Sequence, residues 1–237
     1  MDSVGRFSSR VENYVKYRPS YPEEVLDLLT EECGLRPGSV VADVGSGTGI
    51  FSRLLLERGY RVFGVEPGDE MRAVSERDFM GVENFTSVPR KAEDTGLGAH
   101  SVDLVTVAQA FHWLDISGFR AECLRILHPG GWVAIVWNSR KSAGNAFLKE
   151  YEALLKSLES DYTQINHREV TREAISSFYG SDHYRYLTFP NEQILDWDGL
   201  LGRALSSSYV PLPEDPGYGR LMSELERIFQ VHSEGGK

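Results

Sequence analysis

The sequence predicts a doubly wound α/β fold built on a mostly parallel sheet, and three observations carry that prediction. Strand-like and helix-like segments alternate between about residues 22 and 137. The central strand patterns are apolar on both faces, as strands are when helices cover a parallel sheet on its two sides. A glycine-rich turn, Gly45-Ser46-Gly47-Thr48-Gly49, joins the first strand to the helix that follows it.

Taken in order, Pro22 suits the first turn of a helix running to about residue 33, ended by the break Arg36-Pro37-Gly38. Residues 39–44 are β-rich, and residues 50–58 form a helix whose apolar stripe is Phe51, Leu54, Leu55 and Leu56. Gly59 closes that helix, and the strand 61–65 completes a βαβ unit about 27 residues long. A helix over 69–78, a strand over 85–88, a strand over 102–107, a helix over 118–127 and a strand over 131–137 follow. Beyond them a helical pattern with Phe147, Tyr151, Leu154, Leu155 and Leu158 spans 142–161, and the polar stretch 162–171 reads as a loop. Residues 184–189 alternate like a strand, and helices are expected from 191 to about 207 and from 215 to about 232.

Composition sets the outer limits. The 237 residues are 41% hydrophobic and 25% charged, which fits a folded globular protein and neither a disordered nor a membrane one. Asp and Glu number 35 against 25 Lys and Arg, a formal charge of −10, which argues against a broad phosphate-backbone footprint and so against a nucleic-acid partner. Cys33 and Cys123 stand far apart, with no CxxC and no Cys/His cluster, so neither a metal site nor a disulfide framework is expected, and a reducing compartment fits. The first residues carry no apolar targeting core, and the longest apolar run, Trp132-Val133-Ala134-Ile135-Val136-Trp137, is far too short to cross a bilayer. A cytoplasmic protein with no membrane partner is expected, its oligomeric state, monomer or dimer, left open.

Open α/β sheets bind ligands outside the carboxyl ends of their strands, where the strand order reverses. The residues just after Val44, Val65, Val107 and Val136 are therefore the first candidates for chemistry. In the glycine turn the third glycine comes one position too early for the dinucleotide fingerprint, with Ile50 in its place, and no Gly-Lys-Ser/Thr follows to make a P-loop. Glu66 ends the second strand, where a carboxylate can accept hydrogen bonds from both hydroxyls of a ribose. A nucleoside-binding site results.

In these features the sequence resembles the class I S-adenosylmethionine-dependent methyltransferases. Their first motif has the form of Val41-Ala42-Asp43-Val44-Gly45-Ser46-Gly47-Thr48-Gly49, and their second ends in an acidic residue like Glu66. The resemblance covers about residues 38–137, through Lys91-Ala92-Glu93-Asp94, Ser101-Val102-Asp103-Leu104-Val105 and Leu127-His128-Pro129-Gly130-Gly131. More narrowly, Tyr14-Val15-Lys16-Tyr17-Arg18-Pro19-Ser20-Tyr21-Pro22 and Gln109-Ala110-Phe111-His112-Trp113 look like the small-molecule branch that includes trans-aconitate methyltransferase-like proteins. A Rossmann-like domain over 1–237 is implied. Its expected parts are an N-terminal helical flap and helix (1–35), a cofactor-binding core (36–138), a helical insertion (139–183) and a C-terminal strand with helices (184–237). The family's last antiparallel strand, beside the fifth, is not found in the pattern before Lys237.

The resemblance implies S-adenosylmethionine as cofactor, S-adenosylhomocysteine as product and a small-molecule acceptor. Asp43, Gly45, Ser46, Gly47, Thr48 and Gly49 would approach the cofactor, Glu66 would take its ribose, Met71, Ala92 and Glu93 would flank its adenine, and Gln109 would lie at its methionine end. His112 is the candidate catalytic base, and Tyr14, Tyr17, Arg18, Trp113, Trp137 and Asn138 are candidates for acceptor contact. A carboxylate acceptor would need no base but an arginine such as Arg18 or Arg140, whereas a phenol, amine or carbon acid would call on His112. Asp103 is read as a ligand for backbone amides at a strand entrance, and the two cysteines as core. The alternatives are a non-catalytic S-adenosylmethionine-binding protein and, less favoured by Ile50 and the Glu93 segment, a nicotinamide-dependent oxidoreductase.

Overall fold

The computed structural model describes residues 10–141, 144–158, 171–181 and 183–237. They divide into two compact units.

The first unit holds Ser20–Asn138 and the described residues of 171–191. Its sheet has the order β3-β2-β1-β4-β5, with every pairing parallel, formed by β1 (Val40–Val44), β2 (Arg61–Val65), β3 (Phe85–Val88), β4 (Val102–Ala108) and β5 (Leu127–Val136). The helices of this unit are α2 (Glu23–Glu32), α3 (Ile50–Glu57), α4 (Asp69–Asp78), α5 (Ile116–Ile126) and α7 (Arg172–Tyr179). The strand order is that of a doubly wound fold, as expected, and it reverses between β1 and β4.

Because strand side chains alternate, β1 feeds two cores. Ala42 and Val44 join Val105 and Val107 of β4 with Phe119, Cys123 and Ile126 of α5 and Phe178 of α7. Val41 joins Val62 and Leu104 with Leu26 and Leu29 of α2 and Phe51 and Leu55 of α3. Burying a side chain of this size is worth about 1.5–3 kcal/mol, so the two layers account for the near-continuous apolar strands. At the strand entrance Asp103 Oδ2 accepts from Val40 N–H at 2.8 Å, the amide-binding role read from the sequence.

The second unit holds residues 10–19, the described part of 139–169, and Glu192–Lys237. Its helices are α1 (Val11–Tyr17), α6 (Ala146–Ser157), α8 (Trp197–Leu205) and α9 (Tyr218–His232). The apolar stripes of α6, α8 and α9 meet in a core of Tyr151, Leu154, Leu155, Leu200, Ala204, Leu221, Leu225 and Ile228. Arg10 is buried and donates to the carbonyls of Leu205, the last residue of α8, at 2.9 Å and of Val210 at 2.6 Å. The ring of Tyr17 lies so close over Gly202 that a β-carbon there would stand 2.0 Å from it.

Several boundaries differ from the sequence reading. The expected strand over 184–189 is absent: consecutive Tyr186 and Leu187 are both exposed, at 71% and 44%, so the alternating pattern buries no face. Helix α8 starts at Trp197 because Asp196 caps it, accepting from Gly199 N–H at 2.8 Å, and α9 starts at Tyr218 after Gly217 turns the chain with a positive φ. Asp115 likewise starts α5 two residues early, and β5 begins at Leu127. The expected loop over 162–171 lies outside the described residues except Thr171, which caps α7 through Ala174 N–H. Among the described residues all five strands are parallel, and no helix is long and apolar enough to cross a membrane.

One buried charge joins the layers of the first unit. Asp43 is fully buried, with Ser52 of α3 donating to Oδ2 at 2.6 Å and Thr106 of β4 donating to Oδ1 at 2.9 Å. Burial pushes its carboxyl up to about 6 despite those two hydrogen bonds. A folded-state pKa above the unfolded value of 3.8 means that the folded state holds this proton more tightly, so the contribution of Asp43 to stability falls as pH rises between about 4 and 6. The shift corresponds to about 3 kcal/mol. Asp43→Asn has no carboxyl to titrate. Its stability relative to the native chain, followed by thermal unfolding, should rise between pH 4 and pH 7, and a difference that stays constant over that range would show that Asp43 does not titrate there.

Candidate active site

The reversal of strand order brings the ends of β1 and β4 side by side. Gly45 leaves β1 with φ +67°, and a β-carbon on it would lie 2.4 Å from that of Ala110, so the two loops pass in contact that only glycine allows. Gly47 and Gly49 continue the turn with positive φ, and Gly49 serves as the N-cap of α3. The Met71 methyl group faces Gly47, 3.2 Å from where a β-carbon would stand. Ser46 Oγ lies 3.2 Å from the equivalent point on Gly64 of β2.

Glu66 ties this loop to the end of β2. Its Oε2 accepts from Gly47 N–H at 3.0 Å and its Oε1 from Gly68 N–H at 2.8 Å. Burial raises its pKa, while the two backbone donors and the charge of Arg72 oppose that rise. Arg72 is fixed by Asp69 at 2.6 Å and Glu76 at 3.1 Å, and it also donates to the Glu66 carbonyl at 3.3 Å. An ionised carboxylate has about four lone-pair sites, so two remain for the hydroxyls of a ligand.

Three buried polar atoms at this end of the sheet have no hydrogen-bond partner: Ser46 Oγ, Thr48 Oγ1 and Gln109 Nε2. An unmatched buried donor or acceptor costs about 1–3 kcal/mol. Gln109 carries a second cost, since it follows β4 with φ +61°, a left-handed conformation unusual for a residue with a side chain, held by its N–H to Val136 O at 3.0 Å. Unmatched polar atoms and local strain gathered beside a glycine turn are the marks of a site that a polar ligand completes.

The other candidates divide. His112 lies in the turn Phe111–Trp113, its ring 4.5 Å from that of Trp113 and 4.9 Å from that of Trp137, so three predicted residues form one aromatic group. Ala92 is buried in the core. Glu93 accepts from Asp115 N–H at 2.9 Å at the start of α5, and the Asp43 carboxylate faces Ser52 and Thr106 as described. Asn138 donates to Ser20 O at 3.2 Å and accepts from Asn191 at 2.9 Å, and Asn191 donates to the same carbonyl at 2.9 Å. Tyr14, Tyr17 and Arg18 belong to the second unit, where the Arg18 guanidinium covers the Tyr14 ring at 4.8 Å and donates to Ser206 O at 2.9 Å. Among the described residues no cluster of His, Cys, Asp and Glu could hold a metal ion.

Sequence reasoning missed several supports. Ser52 and Thr106, the partners of Asp43, each interrupt an apolar pattern, and those interruptions were the available signal. Glu122, buried on α5, accepts from Thr95 N–H at 2.8 Å and is paired with Arg125 at 2.7 Å, which with the Thr95 bonds holds its carboxyl down at about 2. It fixes the segment that follows Ala92 and Glu93. Asn191 had no signal, because its partners are remote in the chain.

Comparison with known proteins supplies the family. The methyltransferase domain family matches residues 42–135. An uncharacterised methyltransferase of Mycobacterium tuberculosis is 40% identical over 134 residues, 56% of this chain and 52% of that protein, so the chain matches about half the length of that relative. An uncharacterised methyltransferase-like protein of Schizosaccharomyces pombe is 32% identical over 230 residues, covering 94% of this chain and 85% of its own. Among solved structures, a protein of Anaeromyxobacter dehalogenans provisionally described as a type II methyltransferase superposes with a TM-score of 0.61 at 26% identity, covering 90% of this chain and 89% of the other. The match to the methyltransferase domain family, and the likeness to the Schizosaccharomyces pombe and Anaeromyxobacter dehalogenans proteins over nearly the whole chain, place this protein, with its parallel sheet and glycine turn, in the class I S-adenosylmethionine-dependent methyltransferase family.

Proposed function

We propose that this protein transfers the methyl group of S-adenosylmethionine to a small-molecule acceptor. The observation that carries this reading is the joining of Glu66 to the glycine turn through Gly47, beside the unmatched buried polar atoms of Ser46, Thr48 and Gln109. These residues suit an adenosyl amino acid, which brings ribose hydroxyls, a carboxylate and an ammonium group to the same end of the sheet.

Glu66 holds the ribose hydroxyls with its remaining lone pairs, and the turn 45–49 admits the amino-acid portion because its glycines leave the backbone open. Gln109 offers its amide to the methionine end. Met71 and the segment at Ala92 and Glu93 flank the adenine, with the Glu93 carboxylate serving the start of α5. Asp43 acts as a positioning residue for the loop. When bound, the cofactor supplies a methyl group already activated by a sulfonium. The protein's part is to align the acceptor and exclude water, and well-oriented placement contributes about 7–11 kcal/mol. Trp113 and Trp137 flank the acceptor with His112 between them, and His112 takes the proton of an acceptor that must lose one. Asn138 supports this face through Ser20 and Asn191. The motifs at 14–22 and 109–113 favour the small-molecule branch that resembles trans-aconitate methyltransferase-like proteins.

Calorimetric titration with S-adenosylmethionine and, separately, with reduced nicotinamide dinucleotide tests the cofactor: the first should bind in the micromolar range and the second should not, and the reverse result would overturn the reading. Glu66→Ala should weaken cofactor binding by about 10- to 100-fold, the worth of hydrogen bonds to a charged acceptor, with the circular dichroism spectrum unchanged. Unaltered affinity would remove Glu66 from the site. For an acceptor that must lose a proton, His112→Ala should lower kcat by about a hundredfold or more while leaving cofactor affinity within a factor of two, whereas equal loss of both would assign the imidazole to packing.

A further inference from the structure

The second unit brings three arginines into one neighbourhood, and among the described residues two of them are left without a carboxylate. Arg18, Arg140 and Arg203 lie near enough there to feel one another's charge, and burial together with the charge of Arg18 pushes Arg203 down to about 10. Glu152 is committed to Arg140, with 2.9 Å between Oε2 and Nη2, and lies 3.6 Å from Lys156. Among the described residues neither Arg18 nor Arg203 has a carboxylate within ion-pair distance.

Their hydrogen bonds leave donors over. Arg18 uses Nη2 on Ser206 O at 2.9 Å, while its Nε is buried with no partner. Arg203 reaches the hydroxyls of Ser206 and Ser207 only at 3.4 and 3.5 Å. Tyr209 OH accepts from Arg140 at 3.3 Å; burial pushes this phenol up, but the charge and hydrogen bond of Arg140 outweigh it and bring the hydroxyl below its ordinary pKa. Arg10 of the same unit is the contrast, because its two terminal nitrogens end on the carbonyls of Leu205 and Val210.

A cation withdrawn from water without a counter-charge is costly, and a guanidinium fork fits the paired oxygens of a carboxylate or phosphate. We propose that Arg18 and Arg203, backed by Arg140 and Tyr209, form a binding site for a small oxyanion, a carboxylate or a phosphate, within the second unit. The assignment concerns that unit alone and stands apart from the cofactor reading.

Calorimetric titration of the full chain without cofactor tests it, with inorganic phosphate and with succinate as separate probes at an ionic strength fixed by sodium chloride. At least one anion should bind saturably. Arg203→Gln should weaken that binding by about tenfold or more, and Arg203→Lys, which keeps the charge but loses the fork, by less. Succinate alone would identify carboxylates as the ligand class, phosphate alone phosphates, and both the shared oxyanion chemistry. No saturable heat with either anion, or binding undiminished in Arg203→Gln, would overturn the site. If Arg203→Gln does not fold, Arg203→Lys decides on the same terms, with unchanged binding counting against the proposal.

Discussion

The site of the first unit rests on a carboxylate that never meets solvent. Asp43 ends the central strand, and its two oxygens are taken by a serine on the next helix and a threonine on the neighbouring strand. The glycine turn begins two residues later, so its starting point is set relative to α3 and β4 by hydrogen bonds in a medium where they are strong. Glu66 then fixes the middle of the same turn from the side of β2. A loop of glycines, which loses more backbone entropy on ordering than any other sequence, is thereby held from both of the strands that flank it.

The two acids show how one chemical group serves two ends. Each acid accepts one hydrogen bond on each oxygen, but Asp43 is fully buried between two side chains of the protein, whereas Glu66 is bonded to backbone amides beside the glycine turn and is only partly buried. Another contrast separates the arginines of the second unit: Arg10 is spent on carbonyls, and Arg18 retains an unused donor. The chain is acidic as a whole, with a formal charge of −10, yet within its second unit Arg18 and Arg140 lie near enough to act on Arg203. Net charge governs solubility and long-range steering, while a local pocket is governed by which side chains face it.

Much of the first unit was legible because its signals are local. Strands β2 and β3 and helix α4 begin and end where period and punctuation place them, and the glycine turn and Glu66 are brought together as their spacing implies. What escaped depends on distance along the chain. Asp43 was readable as a residue of the turn, but that it faces inward depends on Thr106, 63 positions away. The alternation of 184–189 imitates a strand, and only the burial of neighbouring elements reveals that it has no face to cover.

The join of Ser20, Asn138 and Asn191 distributes its demands unevenly over the three positions. Both asparagine amides donate to one main-chain carbonyl, and Asn191 also donates to the side-chain oxygen of Asn138. What position 20 contributes is an oxygen that every amino acid possesses, so substitutions of its exposed side chain leave the acceptor in place. Positions 138 and 191 have no such latitude, since each must supply an amide of the right reach. The centre of this join therefore tolerates a change of side chain that its two remote arms do not.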